Sequence, residues 1–320
     1  MKHKISVTLV ILLIFFTAQV FGILTFAYDA KVFISEGSVT ITHPDTAIGE
    51  RPTQTNLSLI IWISVGVAIG TVLVLLLAKF KQTKIWAVWY TLAIFICIAT
   101  TLGVFIDNKI IVFAISAILS GIKVWKREGI LANMVEILVY SAIAIIVSPL
   151  LNVFWAIVLL LGISVYDFVA VRLSKHMVTL AEFQKGTKLF AGIQIGYRSQ
   201  ESKDSQSKDK RSVKTTEQSG RRLLANKEDK SNDEKEYKTA ILGGGDIAFP
   251  LILNATYFHH VLSITAMKSI SVLICLIVAL FQTLALFFLF WISKKGKYYP
   301  AMPYLTFGSI VGILVSLIFI

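Results

Sequence analysis

The sequence predicts an all-α integral membrane protein with nine transmembrane helices. Two observations lead to this prediction. Of the 320 residues, 56% are hydrophobic and the mean hydropathy is +0.74, whereas soluble domains have roughly 45–50% apolar residues. Apolar runs of about 20 residues also recur along most of the chain, and a helix of this length crosses a bilayer.

Nine apolar runs define the predicted spans. The first, Ile5–Ala27, is longer than the roughly 7–15 residues of a signal-peptide core, so we favour a retained span over a signal peptide cleaved at Ala27. The shortest, Ile110–Val124, has fewer residues than the about 20 that a span requires. The other seven are Leu57–Ala78, Ile85–Ile106, Ile130–Val147, Leu150–Val171, Ala240–Phe258, Ile270–Ile292 and Met302–Ile320.

The basic residues predict the orientation of the chain. The net charge is +12, but the Lys and Arg residues form short clusters between apolar runs, which is typical of membrane orientation and not of a nucleic-acid-binding face. With nine spans, these clusters all fall on one side. The positive-inside rule then puts the N-terminus in the cytoplasm and the C-terminus outside the cell membrane. The clusters are Lys2/Lys4, Lys79/Lys81/Lys84, Lys123/Lys126/Arg127, the loop from Arg172, and Lys294/Lys295/Lys297.

The chain divides into three parts. Residues 1–171 form an N-terminal six-helix transmembrane half, and residues 240–320 form a C-terminal three-helix half. Between them, residues 172–239 form a cytoplasmic hydrophilic loop. Its first part, around Met177–Lys185, has a weakly amphipathic pattern that suits a membrane surface. From Arg198 to Lys238 the loop is almost entirely polar, so it cannot bury enough apolar area to become ordered.

Two aspartates stand out because each lies inside an apolar run. Asp167 is near the cytoplasmic end of the sixth span, and Asp246 is near the start of the seventh. At about 1.5 Å per residue, both lie roughly 8–9 Å below the cytoplasmic boundary. A charged group at this depth is costly and usually functional. Because the two spans are antiparallel neighbours, we expect the two carboxylates to face each other.

Two facing carboxylates can hydrolyse a peptide bond. They cannot both ionise cheaply, so they hold one proton between them. The ionised acid takes a proton from water, while the protonated acid donates to the scissile carbonyl and later to the leaving amine. The same pair of acids also suits a proton- or cation-conducting transporter or channel. Charge and periodicity alone leave both functions open.

Three short motifs favour the protease. They are Tyr166-Asp167 on the sixth span, Gly243-Gly244-Gly245-Asp246 on the seventh, and Pro300-Ala301-Met302-Pro303 at the start of the ninth. Together they resemble the YD, GxGD and PAL motifs of the GxGD intramembrane aspartyl proteases, the presenilin and signal peptide peptidase family. Each motif is weak evidence alone, but three of them on matching spans are strong evidence. Met302 replaces the leucine of PAL, which is nearly volume-conserving.

The resemblance implies a presenilin-like bundle and an intramembrane aspartyl endopeptidase with Asp167 and Asp246 as its catalytic dyad. It implies single-span membrane proteins or signal peptides as substrates, met within the lipid bilayer. No metal, organic cofactor or nucleic acid is expected. With its N-terminus inside, the chain is similar to a compact prokaryotic or archaeal presenilin-type homologue.

The residues beside the aspartates have expected roles in substrate binding. Gly243–Gly245 weaken the start of the seventh helix and leave room for another backbone. A substrate helix must unwind before it is cleaved, and strand pairing beside the acids would satisfy its freed backbone groups. Pro300–Pro303 fix a non-helical entry to the ninth span. Tyr166 either contacts the dyad or belongs to an interfacial aromatic belt.

Glu136 is a third acid within an apolar run, on the fifth predicted span. It could tune the dyad, line a water path, or pair with a basic residue such as Lys123. We favour the structural pairing, because the chemistry of the family needs only two acids.

Overall fold

The computed structural model describes residues 5–35, 38–49, 57–80, 82–125, 129–171, 192–198, 237–293 and 299–319. Nine α-helices lie within these ranges, which confirms the helical class that the sequence predicts. They are α1 (Ile5–Asp29), α2 (Leu57–Lys79), α3 (Thr83–Leu102), α4 (Lys109–Trp125), α5 (Ile130–Val147), α6 (Val153–Val169), α7 (Gly244–Thr265), α8 (Lys268–Ile292) and α9 (Met302–Ser316).

Six of the described helices are long and apolar enough to cross a membrane. They are α1, α3, α5, α7, α8 and α9, where α5 and α9 are each extended by a 3₁₀ turn. Helix α6 is apolar but has only 17 residues, fewer than the about 20 that a perpendicular span requires. The chain is therefore a multi-pass helical membrane protein. By length and composition its described residues supply six spans, against the nine predicted.

A 3₁₀ turn and a capping residue separate α5 from α6. Ser148–Leu150 form the turn, and Asn152 Oδ1 accepts a hydrogen bond from the backbone N–H of Trp155 at 2.9 Å. This bond satisfies one of the N–H groups that a helix start leaves unpaired. The predicted start of the sixth span at Leu150 is therefore too early, since the helix begins at Val153.

Helix α7 lies at the centre of the bundle. It contacts α1, α5, α6, α8 and α9, and 72% of its apolar stretch is buried, the largest share among the six spans. A helix enclosed on all sides needs apolar side chains all round. Leu251 and Leu253, on different sides of α7, are accordingly both 0% exposed. The helix that carries Asp246 is thus the best enclosed of the spans.

Buried amide side chains join α7 to its neighbours. Asn254 Nδ2 donates to Gln19 Oε1 of α1 and to Gln282 Oε1 of α8, both at 3.1 Å. Gln282 Nε2 donates to Ser309 Oγ of α9 at 2.9 Å, and Gln19 Nε2 donates to the carbonyl oxygen of Ile247 at 3.2 Å. Polar groups at membrane depth must find partners within the protein. These bonds therefore fix the first half of α7 to α1 and α8, and they join α8 to α9.

Two antiparallel sheets of two strands accompany the helices, and the sequence analysis predicts neither. The strands are β1 (Lys31–Ser35) with β2 (Ser38–Thr42), and β3 (Gly192–Arg198) with β4 (Tyr237–Gly243). Strand β4 runs directly into α7. The predicted start of the seventh span at Ala240 is therefore wrong, because the helix begins at Gly244.

Ala240 lies in a strand because β4 pairs with β3, which lies within the hydrophilic loop. Ile193, Ala240 and Leu242 are at most 3% exposed, so one face of this sheet packs into the core. Glycines then follow, and each costs about 1 kcal/mol relative to alanine inside a helix. Residues 172–191, with the predicted surface segment, and residues 199–236 lie outside the described residues. The segment predicted to be disordered is Arg198–Lys238, and the prediction is wrong at its two ends, because Arg198 pairs with Tyr237 and Tyr197 with Lys238 in the sheet.

Candidate active site

Asp167 is held by the N-terminus of α9. Its side chain is buried in the last turn of α6, with the residue 4% exposed, and its Oδ2 accepts a hydrogen bond from the backbone N–H of Met302 at 3.2 Å. Met302 is the first residue of α9, where N–H groups have no partner within the helix. Pro303, the next residue, has no N–H to donate. The partial positive charge of a helix N-terminus also favours a carboxylate there.

Asp246 lies at a second helix N-terminus. It is the third residue of α7 and belongs to its first turn. Its carboxylate turns back toward the preceding strand: a Cβ added to Gly243 would lie 3.2 Å from Asp246 Oδ2. Gly243 is both the last residue of β4 and the N-cap of α7. The position of Asp246 is therefore tied directly to the β3–β4 sheet.

The packing of α6, α7 and α9 brings the two acids together. Helix α6 contacts both α7 and α9, and Asp167 is close enough to Asp246 for the two charges to interact. About one helical turn from Asp167 and from Met302, Ser164 Oγ and Thr306 Oγ1 lie 2.6 Å apart and join α6 to α9. Two close carboxylates, one fully and one partly buried, form an arrangement that can share a proton and activate water.

The other predicted site residues lie in three different settings. Ala301 and Met302 are 8% and 2% exposed and lie beside Asp167, with Pro300 also buried and Pro303 half-buried. Gly244 and Gly245 form the first turn of α7. Tyr166 is 44% exposed, so its side chain lies on the outer side of α6 while that of its neighbour Asp167 points inward.

Glu136 belongs to a separate buried cluster. Lys123 Nζ of α4 lies 2.7 Å from Glu136 Oε1, and the side chains are 5% and 3% exposed. The hydroxyl of Tyr90 on α3 donates to the same oxygen at 3.3 Å, and Lys123 also donates to the carbonyl oxygen of Ala132 at 3.1 Å. The predicted structural pairing of Glu136 with Lys123 is confirmed.

Sequence reasoning missed Asn133, which contacts the sheet that leads to Asp246. Its side chain bonds both backbone groups of Gln194 in β3, with Nδ2 donating to the carbonyl oxygen at 3.1 Å and Oδ1 accepting from the N–H at 3.3 Å. The available signal was Asn133 itself, which is a polar residue inside an apolar run, three positions before Glu136.

Comparison with known protein families gives one match. The model described as "Signal-peptide peptidase, presenilin aspartyl protease" matches residues 32–320, a range that contains every residue of the site described above. No curated protein matches the chain.

Proposed function

The chain belongs to the family of signal-peptide peptidase and presenilin aspartyl proteases, and we propose that it hydrolyses peptide bonds of transmembrane helices with Asp167 and Asp246 as its catalytic dyad. The observation that carries this proposal is the meeting of the two acids at two helix N-termini, with Asp167 bonded to Met302 N at 3.2 Å and within electrostatic range of Asp246. Aspartyl protease chemistry requires such a pair of acids.

The proposed reaction uses one proton shared by the dyad. The ionised carboxylate takes a proton from water, and the water oxygen adds to the scissile carbonyl carbon. The protonated carboxyl donates its proton to the carbonyl oxygen. When the C–N bond breaks, the protonated carboxyl gives its proton to the leaving amine. The ionised carboxylate takes the proton of one hydroxyl of the gem-diol intermediate, so the carbonyl of the acid product forms and the dyad again holds one proton. Met302 N–H stabilises the charge on Asp167 without taking part in proton transfer.

The β3–β4 sheet supports a route for presenting the substrate. Strand β4 pairs with β3 along one edge and has no strand on its other edge within the described residues. A substrate segment unwound near Gly243–Gly245 would pair with that edge, which satisfies its backbone groups beside Asp246. Ala301 and Met302 lie next to Asp167, at the start of α9. Tyr166, exposed on α6, is the proposed contact for a substrate that approaches from the lipid.

The proposed topology has nine spans, with α2, α4 and α6 crossing the cell membrane in addition to the six longer helices. The N-terminus is then cytoplasmic and the C-terminus extracellular. Both aspartates lie near the cytoplasmic ends of their helices, so single-span proteins or signal peptides would enter laterally and be cut near the cytoplasmic face, where water reaches the site.

The test is cleavage of a single-span reporter by purified protein in detergent. We expect wild type to produce new peptide termini, and Asp167→Asn and Asp246→Asn to abolish cleavage while retaining the fold. Asp107→Asn is the matched control, because Asp107 is an exposed residue between α3 and α4 and should leave the rate unchanged. Cleavage that survives either dyad substitution would contradict the proposal. Ion flux with an intact reporter would favour a transporter.

A further inference from the structure

Tyr140 of α5 carries a buried hydroxyl that packing alone does not explain. The residue is 3% exposed, and its Oη has no hydrogen-bond partner of suitable geometry among the residues that the structure describes. A hydroxyl taken out of water without a compensating bond is unfavourable, so nearly all buried polar side chains are bonded. The buried hydroxyl of Tyr257 follows this rule, because it lies 2.8 Å from Ser316 Oγ. Tyr140 is an exception.

Tyr140 comes level with Asp246 along the bundle. Near the start of α5, Asn133 bonds to Gln194 of β3, which lies opposite Ile241 of β4. From this level α5 continues beside α7, and the 3₁₀ turn that follows α5 also contacts α7, so the two helices run in the same direction. Tyr140 lies about 10 Å beyond Asn133 along α5. Asp246 lies about 11 Å beyond Ile241, along the end of β4 and the first turn of α7.

The side chain of Tyr140 lies on the face of α5 that packs into the main core. It belongs to the same cluster of buried residues as Ile247, the residue after Asp246. Val139, its neighbour on α5, packs instead into a second cluster with Trp86 of α3. Tyr140 is also within electrostatic range of Asp246. Depth, face and electrostatic range together bring the hydroxyl of Tyr140 beside the dyad.

Glu136 is the other acid within reach of Tyr140, but its charge is already compensated. Lys123 Nζ lies 2.7 Å from Glu136 Oε1, and the hydroxyl of Tyr90 donates to the same oxygen at 3.3 Å. An ammonium at this distance already stabilises the carboxylate. The carboxyl group of Asp246 is therefore the acid that gains more from the hydroxyl of Tyr140.

We infer that Tyr140 is a positioning residue, in which one water molecule bridges the hydroxyl to the carboxyl group of Asp246 and holds that carboxyl toward Asp167. This inference rests on the proposed function, in which Asp246 is one half of the dyad. A water commonly joins polar groups that are more than about 3.5 Å apart, and it can bond to a phenol and a carboxyl at once. A catalytic group must be held within about 0.5 Å of its productive position. Tyr140 itself touches neither the substrate nor the shared proton.

The first test measures kcat and KM for wild type and Tyr140→Phe. The substitution removes one oxygen and no bond within the described part of the protein, so the fold should be retained. We expect kcat to fall about tenfold, the effect of one lost hydrogen bond to a carboxyl group. KM should stay within about twofold, because the contacts to the substrate are unchanged.

Two matched variants serve as controls for this test. Tyr257→Phe removes a buried hydroxyl that is bonded to Ser316, and Tyr90→Phe removes a second hydroxyl near Glu136. Both should keep kcat within about twofold of wild type. A kcat within about twofold in Tyr140→Phe would overturn the inference. So would an equal loss in Tyr90→Phe, since Tyr140 would then act through the Glu136 cluster and not through Asp246.

The second measurement does not depend on cleavage. Infrared spectra are recorded at a pH low enough to protonate both acids of the dyad, and the carboxyl C=O band of Asp246 is identified by its loss in Asp246→Asn. A hydrogen bond weakens a C=O bond, so Tyr140→Phe should move this band to higher frequency, while Tyr257→Phe should leave it in place. An unchanged band in folded Tyr140→Phe would overturn the inference, whether or not wild type cleaves the reporter. If the band shifts but wild type does not cleave, the bond to Asp246 stands and only the proposed function fails.

Discussion

Removing Glu136 is expected to destabilise the protein by about 3–5 kcal/mol, because Lys123 would be left buried without its counter-ion. The ion pair is 2.7 Å long, with both side chains at most 5% exposed, so solvent cannot replace the lost partner. Tyr90 would also lose the acceptor that it now meets at 3.3 Å. Glu136→Leu should therefore lower the free energy of unfolding, measured by denaturant titration in detergent micelles, by an amount within that range.

A double variant separates the charge effect from any role in catalysis. Lys123→Met with Glu136→Leu removes both charges at similar volume, and replacing a buried ion pair in this way is often neutral or stabilising. We expect the double variant to regain most of the lost stability, with a residual cost of about 1 kcal/mol from the hydroxyl of Tyr90. Its cleavage rate should be within about threefold of wild type, because the dyad is unchanged.

Two results would refute this reasoning. If Glu136→Leu alone changes the free energy of unfolding by less than about 1 kcal/mol, the pair does not hold α4 and α5 together as the buried geometry requires. If the double variant is folded and stable but does not cleave, Glu136 acts in the reaction and not as a structural partner of Lys123.

Three further substitutions test the site and the bundle. Gly243→Ala should retain the fold, since the φ of −63° at this position suits alanine. It should lower kcat about tenfold, because the new Cβ would lie 3.2 Å from Asp246 Oδ2. Gly162→Ala on α6, with open space around it, is the control, and equal cleavage rates for both variants would contradict the steric argument. Met302→Leu should keep the cleavage rate within about threefold of wild type, because Asp167 is bonded to the backbone of Met302 and not to its side chain. A larger loss of rate would give the Met302 side chain a direct role in cleavage. Gly308→Ala should lower the free energy of unfolding in detergent by about 1–3 kcal/mol, because its Cβ would lie 2.8 Å from a carbonyl oxygen of α8. An unchanged unfolding curve would show that α8 and α9 separate easily.

The acids and the motifs were readable from the sequence because each breaks a local pattern. Asp167 and Asp246 are charges inside apolar runs, and Glu136 with Lys123 is an opposite-charge pair that the membrane environment forces together. The order of the YD, GxGD and PAL-like motifs indicated the family, which the match over residues 32–320 confirms.

The sheet beside Asp246 was not readable because its strands are far apart in sequence. Strand β4 lies at the boundary of an apolar run, and its partner β3 lies inside the hydrophilic loop, separated from β4 by residues 199–236. Hydropathy alone therefore extended the helix back to Ala240. The hydrogen bond to Met302 was also hidden, since it uses a backbone N–H that any residue except proline could supply. Asn133 is uncharged, so hydropathy did not distinguish it from the apolar residues of the fifth predicted span. Its amide nevertheless has the donor and the acceptor that bond to the edge of β3.

The most direct test of the central claim is whether the two aspartates act as one unit. A peptide-like probe with a hydroxyl group in place of the scissile carbonyl mimics the transition state and should bind wild type at least about 100-fold more tightly than either single variant. Its Kd would be measured with wild type, Asp167→Asn, Asp246→Asn and the double variant. The account predicts that each single substitution loses nearly all of this affinity and that the double variant loses no more. Wild-type affinity in either single variant, or losses that multiply in the double variant, would contradict a shared dyad.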